Sequence, residues 1–549
     1  MKRTALALLA VLALVGCVAI PDAGPVVEGQ VDTSEQTNDL VFLAPEPQPG
    51  ATQEEIILGF LAAAITPGED YAIAREYLSE EAADGWDPSA RVIVRSGAPP
   101  ELSLTGDTAA NAVVSGLSEV DARGALQLTG DDRMLEFALE MVDGEWRIAE
   151  APDGIVLTAY YFNALFRAHT LHWLTQDGTR TVPEVRWFAR TATTLSERII
   201  DALLAGPSTW LSPAVSTFGA VEASRVGQSR VDGTTMTITL NSPQVDQLGP
   251  GSLSPLAAQL ALSLREVGVR EVLVEVEGRE GLVASSADAA IIDEGDVDPQ
   301  PLVLEGTSLH PVGGSAPVPD DVGATLAAIG ATSYTVGAEG GVAHTGTTAA
   351  WILPGAEPVV ISTDAGVAPT VDDSGWVLLQ EVAAAPRLLA WRGGERTELP
   401  LPPGLARIAA MELARDGSRL ALVTGEEGDS RAWVLAVVRD ASGRPVALGE
   451  PYPLPAIEGA ASDVTWVSPT QVAVLSSADD QAQIAMLAVG GVSEQLPAPG
   501  EPVQAIAGGS QGISTLRALS ADGALLSLQG RVWSPAAGLE PLRLIATQQ

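Results

Sequence analysis

The sequence predicts a multidomain chain that passes from α+β units to an all-β end. Three observations carry this. The 549 residues exceed what one hydrophobic core usually supports. Helical and strand periodicities alternate through the first half. Beyond residue 322, short β-rich runs separated by glycine and aspartate turns replace them.

The N-terminus sets the address. Lys2 and Arg3 precede an uncharged apolar run from Thr4 to Val15, followed by Gly16 and Cys17. Roughly 20 apolar residues are needed to cross a bilayer, so residues 1–16 are read as a secretory signal peptide rather than a span. Leu14-Val15-Gly16-Cys17 has the spacing of a bacterial lipobox. Small residues there fit a peptidase groove, and Cys17 becomes the N-terminus, carrying an S-diacylglycerol and an N-palmitoyl group. The expected location is the cell membrane, lipid-anchored on the extracytoplasmic face. Cys17 is the only cysteine, which excludes intramolecular disulfides, multi-cysteine zinc sites and CxxC redox chemistry.

Charge narrows the function classes further. Asp and Glu number 70 against 30 Lys and Arg, a formal net charge of −40, so nucleic acid is not an expected partner. Lys2 is the only lysine. Schiff-base chemistry, a Walker A phosphate grip and Ser-x-x-Lys acylation are therefore excluded from the mature chain.

Residues 17–50, rich in Pro, Asp, Glu, Gln and Thr, read as a lipidated tether. Order starts at Thr52, an N-cap with Glu55 three residues on, before the apolar face Ile56, Ile57, Phe60, Leu61 and Ala64. A short helix around Tyr71–Leu78 follows. Strand-like runs come next, near Arg91–Arg95, Ala112–Val120, Ala125–Thr129 and Leu135–Val142, closing with Glu145-Trp146-Arg147-Ile148. Helices first and a curled antiparallel sheet afterwards, over residues 51–153, resemble the NTF2-like α+β cone.

Residues 154–285 read as a second α+β unit. It starts at Val156–Phe162 and continues through Val185–Phe188 to a helix, Leu195–Leu204, stopped by Gly206-Pro207. Arg230–Leu240 alternates with period two, a helix spans Leu253–Val267, and Val272–Val276 is a buried strand. This succession resembles the GerMN domain, which implies no catalytic residues. Residues 286–321 read as an acidic, proline-bearing linker whose strand-like exit, Leu302-Val303-Leu304, leads into the next domain.

For 322–549 the expectation is a β-propeller of about five blades. Strand pairs around Gly340, Gly375, Gly417, Thr470 and Ser510 recur every 35 to 53 residues, and blades must stack because one cannot bury its own faces. Arg415-Asp416-Gly417-Ser418-Arg419 feeding Leu420–Val423 and then Trp433–Val438 is the clearest example.

No catalytic or metal constellation stands out, and no cofactor is expected. Gly508-Gly509-Ser510-Gln511-Gly512 spells a nucleophile elbow, but the base histidine of that fold follows its serine. Here His169, His172, His310 and His344 all precede Ser510. His169 and His172, three apart, would share a helix face, yet zinc needs further ligands. Asp293-Glu294-Gly295-Asp296-Val297-Asp298 fails the EF-hand register.

The whole layout resembles the LpqB family of actinobacterial lipoproteins. The features that carry this are the lipobox with Ile20-Pro21-x-x-Gly24-Pro25-Val26, the block ending in Trp146-Arg147-Ile148, the block with Gly206-Pro207, and the propeller-like final third. The resemblance implies a non-enzymatic accessory protein that modulates the MtrB sensor histidine kinase of the MtrAB two-component system, which governs cell-wall homeostasis and division, through the kinase's extracytoplasmic region. Two other classes compete. A peptidoglycan- or glycan-binding module would use Trp351, Trp391, Trp433, Trp466 and Trp533 as aromatic platforms, and a propeller hydrolase would use Ser510.

Overall fold

The computed structural model describes residues 44–549 except 191–193, 217–222, 244–245, 247, 292–299, 314–317, 383–385, 406, 426–429 and 510. Cys17, the tether to residue 43, the acidic run 293–298 and Ser510 lie outside the described residues.

The first helix, Gln53–Ala63, starts as the sequence dictates. The Thr52 side chain accepts from the Glu55 amide while the Glu55 carboxylate accepts from the Thr52 amide, a reciprocal cap. Its buried face, Ile56, Ile57, Phe60 and Ala63, lies against a sheet that runs Glu145–Glu150, Asp132–Val142, Ala109–Asp121, Arg91–Arg95, Ile155–Thr158. Phe60 packs edge-on to Trp86 and Phe137, at 5.1 and 6.2 Å between ring centroids. These rings fill the cone and leave beside them a cavity of only about 20 Å³, room for about one water and not for an organic ligand.

One element changes units. Ile155–Thr158, which the sequence places at the start of the second domain, pairs in parallel with Arg91–Arg95 of the first sheet. Its buried run Ile155, Val156 and Leu157 completes the first core, and the first unit extends past residue 153. The Thr158 hydroxyl then caps a helix, Ala159–Leu165, so the run Val156–Phe162 is divided between a strand and a helix.

The second unit opens with a long hairpin, Phe166–Thr175 against Thr181–Ala189. His169 and His172 therefore sit on a strand, where an odd separation puts side chains on opposite faces, and the shared helical face expected for them does not exist. Leu195–Leu204 is helical as expected. Arg230–Leu240 is a hairpin rather than one strand, turning at Gly233, whose φ of +61° suits glycine. The helix Pro250–Ser263 ends earlier than the pattern suggests and gives way to a 3₁₀ turn, Arg265–Val267. It packs on the hairpin: the Ser263 hydroxyl accepts from the His172 amide at 2.9 Å, and Gln259 Nε2 donates to the His172 carbonyl at 3.3 Å.

Among the described residues the final third forms five sheets, a propeller. Blades two to five start with Thr370–Val371, Ile408–Leu413, Ala460–Ser468 and Val503–Ala507. Blade one starts at Ser333–Val336 and is enlarged by three more strands. The C-terminal strand Ile545–Gln548 lies parallel to Ser333–Val336 and antiparallel to Leu302–Glu305, which in turn pairs with Ser308–Pro311. Residues 302–311, inside the stretch expected as linker, thus belong to the ring. They do so because Leu302, Val303, Leu304 and Leu309 are apolar and fully buried there. Asp320–Ile329 is a helix in a region expected to lack them, with Val322 and Leu326 packed into the blade-one core.

Gly340, Gly375, Gly417 and Thr470 all fall in the turn between the first and second strands of a blade. The first strands of successive blades are joined by side chains. Thr335 Oγ1 donates to the Pro369 carbonyl (3.4 Å), and Thr370 Oγ1 accepts from the Leu413 amide (3.1 Å). A Glu412 carboxyl oxygen accepts from the Trp466 amide (3.0 Å) and the Thr465 hydroxyl (3.1 Å), and Thr465 Oγ1 accepts from the Gly508 amide (2.9 Å).

Candidate functional site

The three modules form one continuous body. A single hydrophobic cluster joins Leu171, Trp173, Ile238 and Leu260 of the second module to Ala421, Val434, Val464 and Val474 of blades three and four. A junction of all three lies alongside. Tyr452 in blade three donates its hydroxyl to the Leu126 carbonyl of the first module (2.7 Å), and its ring lies 5.2 Å from that of Trp210 in the second. Trp187 Nε1 donates to the Gly490 carbonyl of blade four (2.8 Å), while its amide donates to the Gly124 carbonyl (2.8 Å). Beneath them Glu184 accepts from Arg186 Nη2 and from Trp173 Nε1, each at 2.8 Å. Arg186 is fully buried, and its Nε and Nη1 have no hydrogen-bond partner among the described residues.

Between the second module and the propeller is a cleft of about 350 Å³. The second module's hairpin supplies Thr170, His172, Arg180, Thr181 and Pro183, and the turn after its helix supplies Arg265 and Glu266. From the propeller come Arg415, Asp416 and Arg419 at the first turn of blade three, and Trp466, Ser468, Pro469 and Thr470 at that of blade four. The alternation of the hairpin strands sends these polar side chains to one side while Leu171 and Trp173 enter the core.

Ion pairs hold the walls. Arg180 Nη2 meets Asp373 of blade two at 2.5 Å. Arg419 is almost fully buried, paired with Asp416 at 2.5 Å, donating to the Pro469 carbonyl at 2.7 Å, and stacked 4.8 Å from the Trp466 ring centroid. Arg415 Nε donates to the Gln548 carbonyl (3.0 Å), which ties the cleft to the closing strand. Glu266 Oε2 lies 3.3 Å from Nδ1 of the buried His169. That contact holds the Glu266 carboxyl below its ordinary range against the opposing effect of burial, and the charges of Arg167 and His172 add to it.

The residues singled out in the sequence are placed otherwise. Trp351, Trp391, Trp466 and Trp533 are at most 8% exposed, so they are blade-core residues and not open platforms. Trp351 and Trp391 pack at 6.1 Å, and Trp533 Nε1 donates to the Pro497 carbonyl. Trp433 is half-buried, its Nε1 donating to Thr424. His172 lines the cleft, whereas His344 is buried in blade one against the Ala365 carbonyl (3.2 Å) and His310 faces Glu305 at 3.5 Å. Among the described residues no three His, Cys, Asp or Glu side chains cluster as metal ligands. The cleft itself escaped the sequence reading, because its residues come from segments some 300 positions apart, such as Thr170 and Thr470.

A filled α+β cone, a second α+β module and a propeller, fused around a polar cleft, define a class of multimodular propeller proteins. Comparison with known families agrees module by module. The N-terminal domain of lipoprotein LpqB matches residues 46–163, the sporulation and spore germination (Germane) domain 170–281, and the LpqB β-propeller domain 314–543. The chain belongs to the LpqB lipoprotein family.

Lipoprotein LpqB of Thermobifida fusca is 30% identical over 302 residues, covering 50% of this chain and 46% of that one. The match with the Cutibacterium acnes relative likewise spans 44% of its length, so the chain spans about half the length of these two relatives. The Streptomyces avermitilis relative is 27% identical over 78% of both chains, and that of Mycobacterium bovis 23% over 90% of both. Among solved structures, tandem GerMN domains of GerM from Bacillus subtilis align with 24% of this chain and 48% of theirs at 19% identity and a TM-score of 0.20.

Proposed function

We propose that this protein is a non-enzymatic accessory lipoprotein, anchored through Cys17 on the extracytoplasmic face of the cell membrane, that modulates an MtrB-like sensor histidine kinase by contact with its extracytoplasmic region. The observation that supports the reading is the fusion of the three modules. A body whose second module and propeller share one core presents its loops in a fixed relation to one another. Tethering such a body by residues 17–50 raises its effective concentration against a neighbouring receptor toward the millimolar range, so weak contacts suffice. Membership of a lipoprotein family and the lipobox at Leu14–Cys17 support the anchor.

The test is reconstitution of the kinase in liposomes with the lipidated protein, with its Cys17→Ser form, and with neither. The reading expects a changed phosphotransfer rate and a crosslink to the kinase with the lipidated form, both much reduced by the serine. Equal rates in all three samples would remove the kinase reading. A Cys17→Ser protein that stays in the membrane fraction and still takes up palmitate would remove the anchor.

A further inference from the structure

We propose that the cleft between the second module and the propeller is a binding site for a polyhydroxylated anion, a sugar acid or sugar phosphate of about one or two rings. This stands on the cleft alone and holds whether or not a kinase is the partner. Acidic residues outnumber basic ones by 70 to 30 in the chain, so an average lining would be negative. This one is not: Arg180, Arg265, Arg415 and Arg419 meet Glu266 and Asp416 within the lining and Asp373 just outside it, with His172 beside them. Arginine presents planar, forked donors that match carboxylate and phosphate oxygens.

Hydroxyls accompany the charge. Thr170, Thr181, Ser468 and Thr470 line the same space, and Pro183, Leu262 and Pro469 give it apolar walls. Hydroxyls that both donate and accept, next to flat apolar surface, suit the two kinds of face of a pyranose ring. A volume of about 350 Å³ lies at the small end of ligand pockets, roughly 300–1,000 Å³.

Packing also keeps the site open without a ligand. Arg419 is held by Asp416, the Pro469 carbonyl and the Trp466 face, and Arg180 is drawn toward the blade-two turn by Asp373. The cationic wall is therefore preformed, which reduces the ordering cost of binding.

The experiment is calorimetric titration of the full chain with N-acetylmuramic acid, glucose 6-phosphate, neutral N-acetylglucosamine and inorganic phosphate, repeated with Arg265→Gln and Arg180→Gln. One or both anionic sugars should saturate the protein and bind at least about tenfold tighter than the neutral sugar and than phosphate, about tenfold being what one charge-assisted contact gives. Which of the two binds separates a carboxylate from a phosphate source. Each substitution should weaken that binding about tenfold at an unchanged melting temperature. Should Arg180→Gln unfold through loss of the Asp373 pair, Arg265→Gln decides. No saturable binding, phosphate binding as tight as the sugars, or full affinity in the folded variants would each overturn the proposal.

Discussion

Glu412 offers a sharp test of how the propeller ring is held. Its carboxyl is pushed up to about 8, by burial first, with a further push from Asp463 and a partial offset from the Trp466 amide and the Thr465 hydroxyl. Asp463 is itself pushed up to about 7 by burial. It is partly accessible, yet dense protein surrounds it and its oxygens accept from the Val464 and Ile506 amides. The folded-state value of Glu412 lies above the ordinary 4.5. The fold therefore favours the protonated acid, and the associated stability is complete below about pH 4.5 and lost as pH rises through about 8.

At about 1.4 kcal/mol per pKa unit, full ionisation costs of the order of 4–5 kcal/mol. Glu412→Gln keeps an oxygen for Trp466 and Thr465 but cannot ionise. Urea unfolding midpoints of the full chain at pH 5.5, 7 and 8.5 measure the effect. The variant should gain on the wild type by about 3 kcal/mol between the first and last pH. Asp463 titrates in both proteins, so their difference isolates Glu412 to first order. A difference that stays constant with pH would refute this account of the ring interior.

Three further outcomes follow from the junction and the closure. Glu184→Gln should destabilise the chain by roughly 3–5 kcal/mol in chemical denaturation, because the fully buried Arg186 loses its counter-charge. Gly124→Ala should loosen the contact of first and second modules: the glycine sits at φ +83°, and a Cβ there would lie 2.7 Å from the Trp187 carbonyl, so faster proteolysis in the 121–125 turn is expected. Removing residues 545–549 should abolish hydrogen-exchange protection in blade one and in the 302–311 hairpin while the 91–158 sheet keeps its own, since the strand Ile545–Gln548 lies between Ser333–Val336 and Leu302–Glu305.

Local signals were legible and long-range ones were not. The Thr52–Glu55 cap, the Leu195–Leu204 helix and the spacing of glycine turns through the propeller each rest on residues within a few positions of one another. Ile155–Thr158 was misplaced because a buried strand looks the same whichever sheet receives it, and only pairing with Arg91–Arg95 decides. His169 and His172 were weighed on helical spacing, while their strand is set by pairing with a distant partner strand that puts Arg186 and Pro183 opposite them. The tryptophans stood as candidate platforms because composition does not distinguish a blade core from an open face. The arginine cleft has no local signature at all.

The placement of the strand Ile545–Gln548 carries a consequence for the order of assembly. A polypeptide threaded N-terminus first delivers residues 302–311 more than 200 positions ahead of Ile545–Gln548, their intervening partner. The early hairpin must wait, one edge unpaired, until that strand arrives. Ring assembly is thereby timed to the arrival of residues 545–548, and a molecule stalled or clipped before them cannot complete blade one.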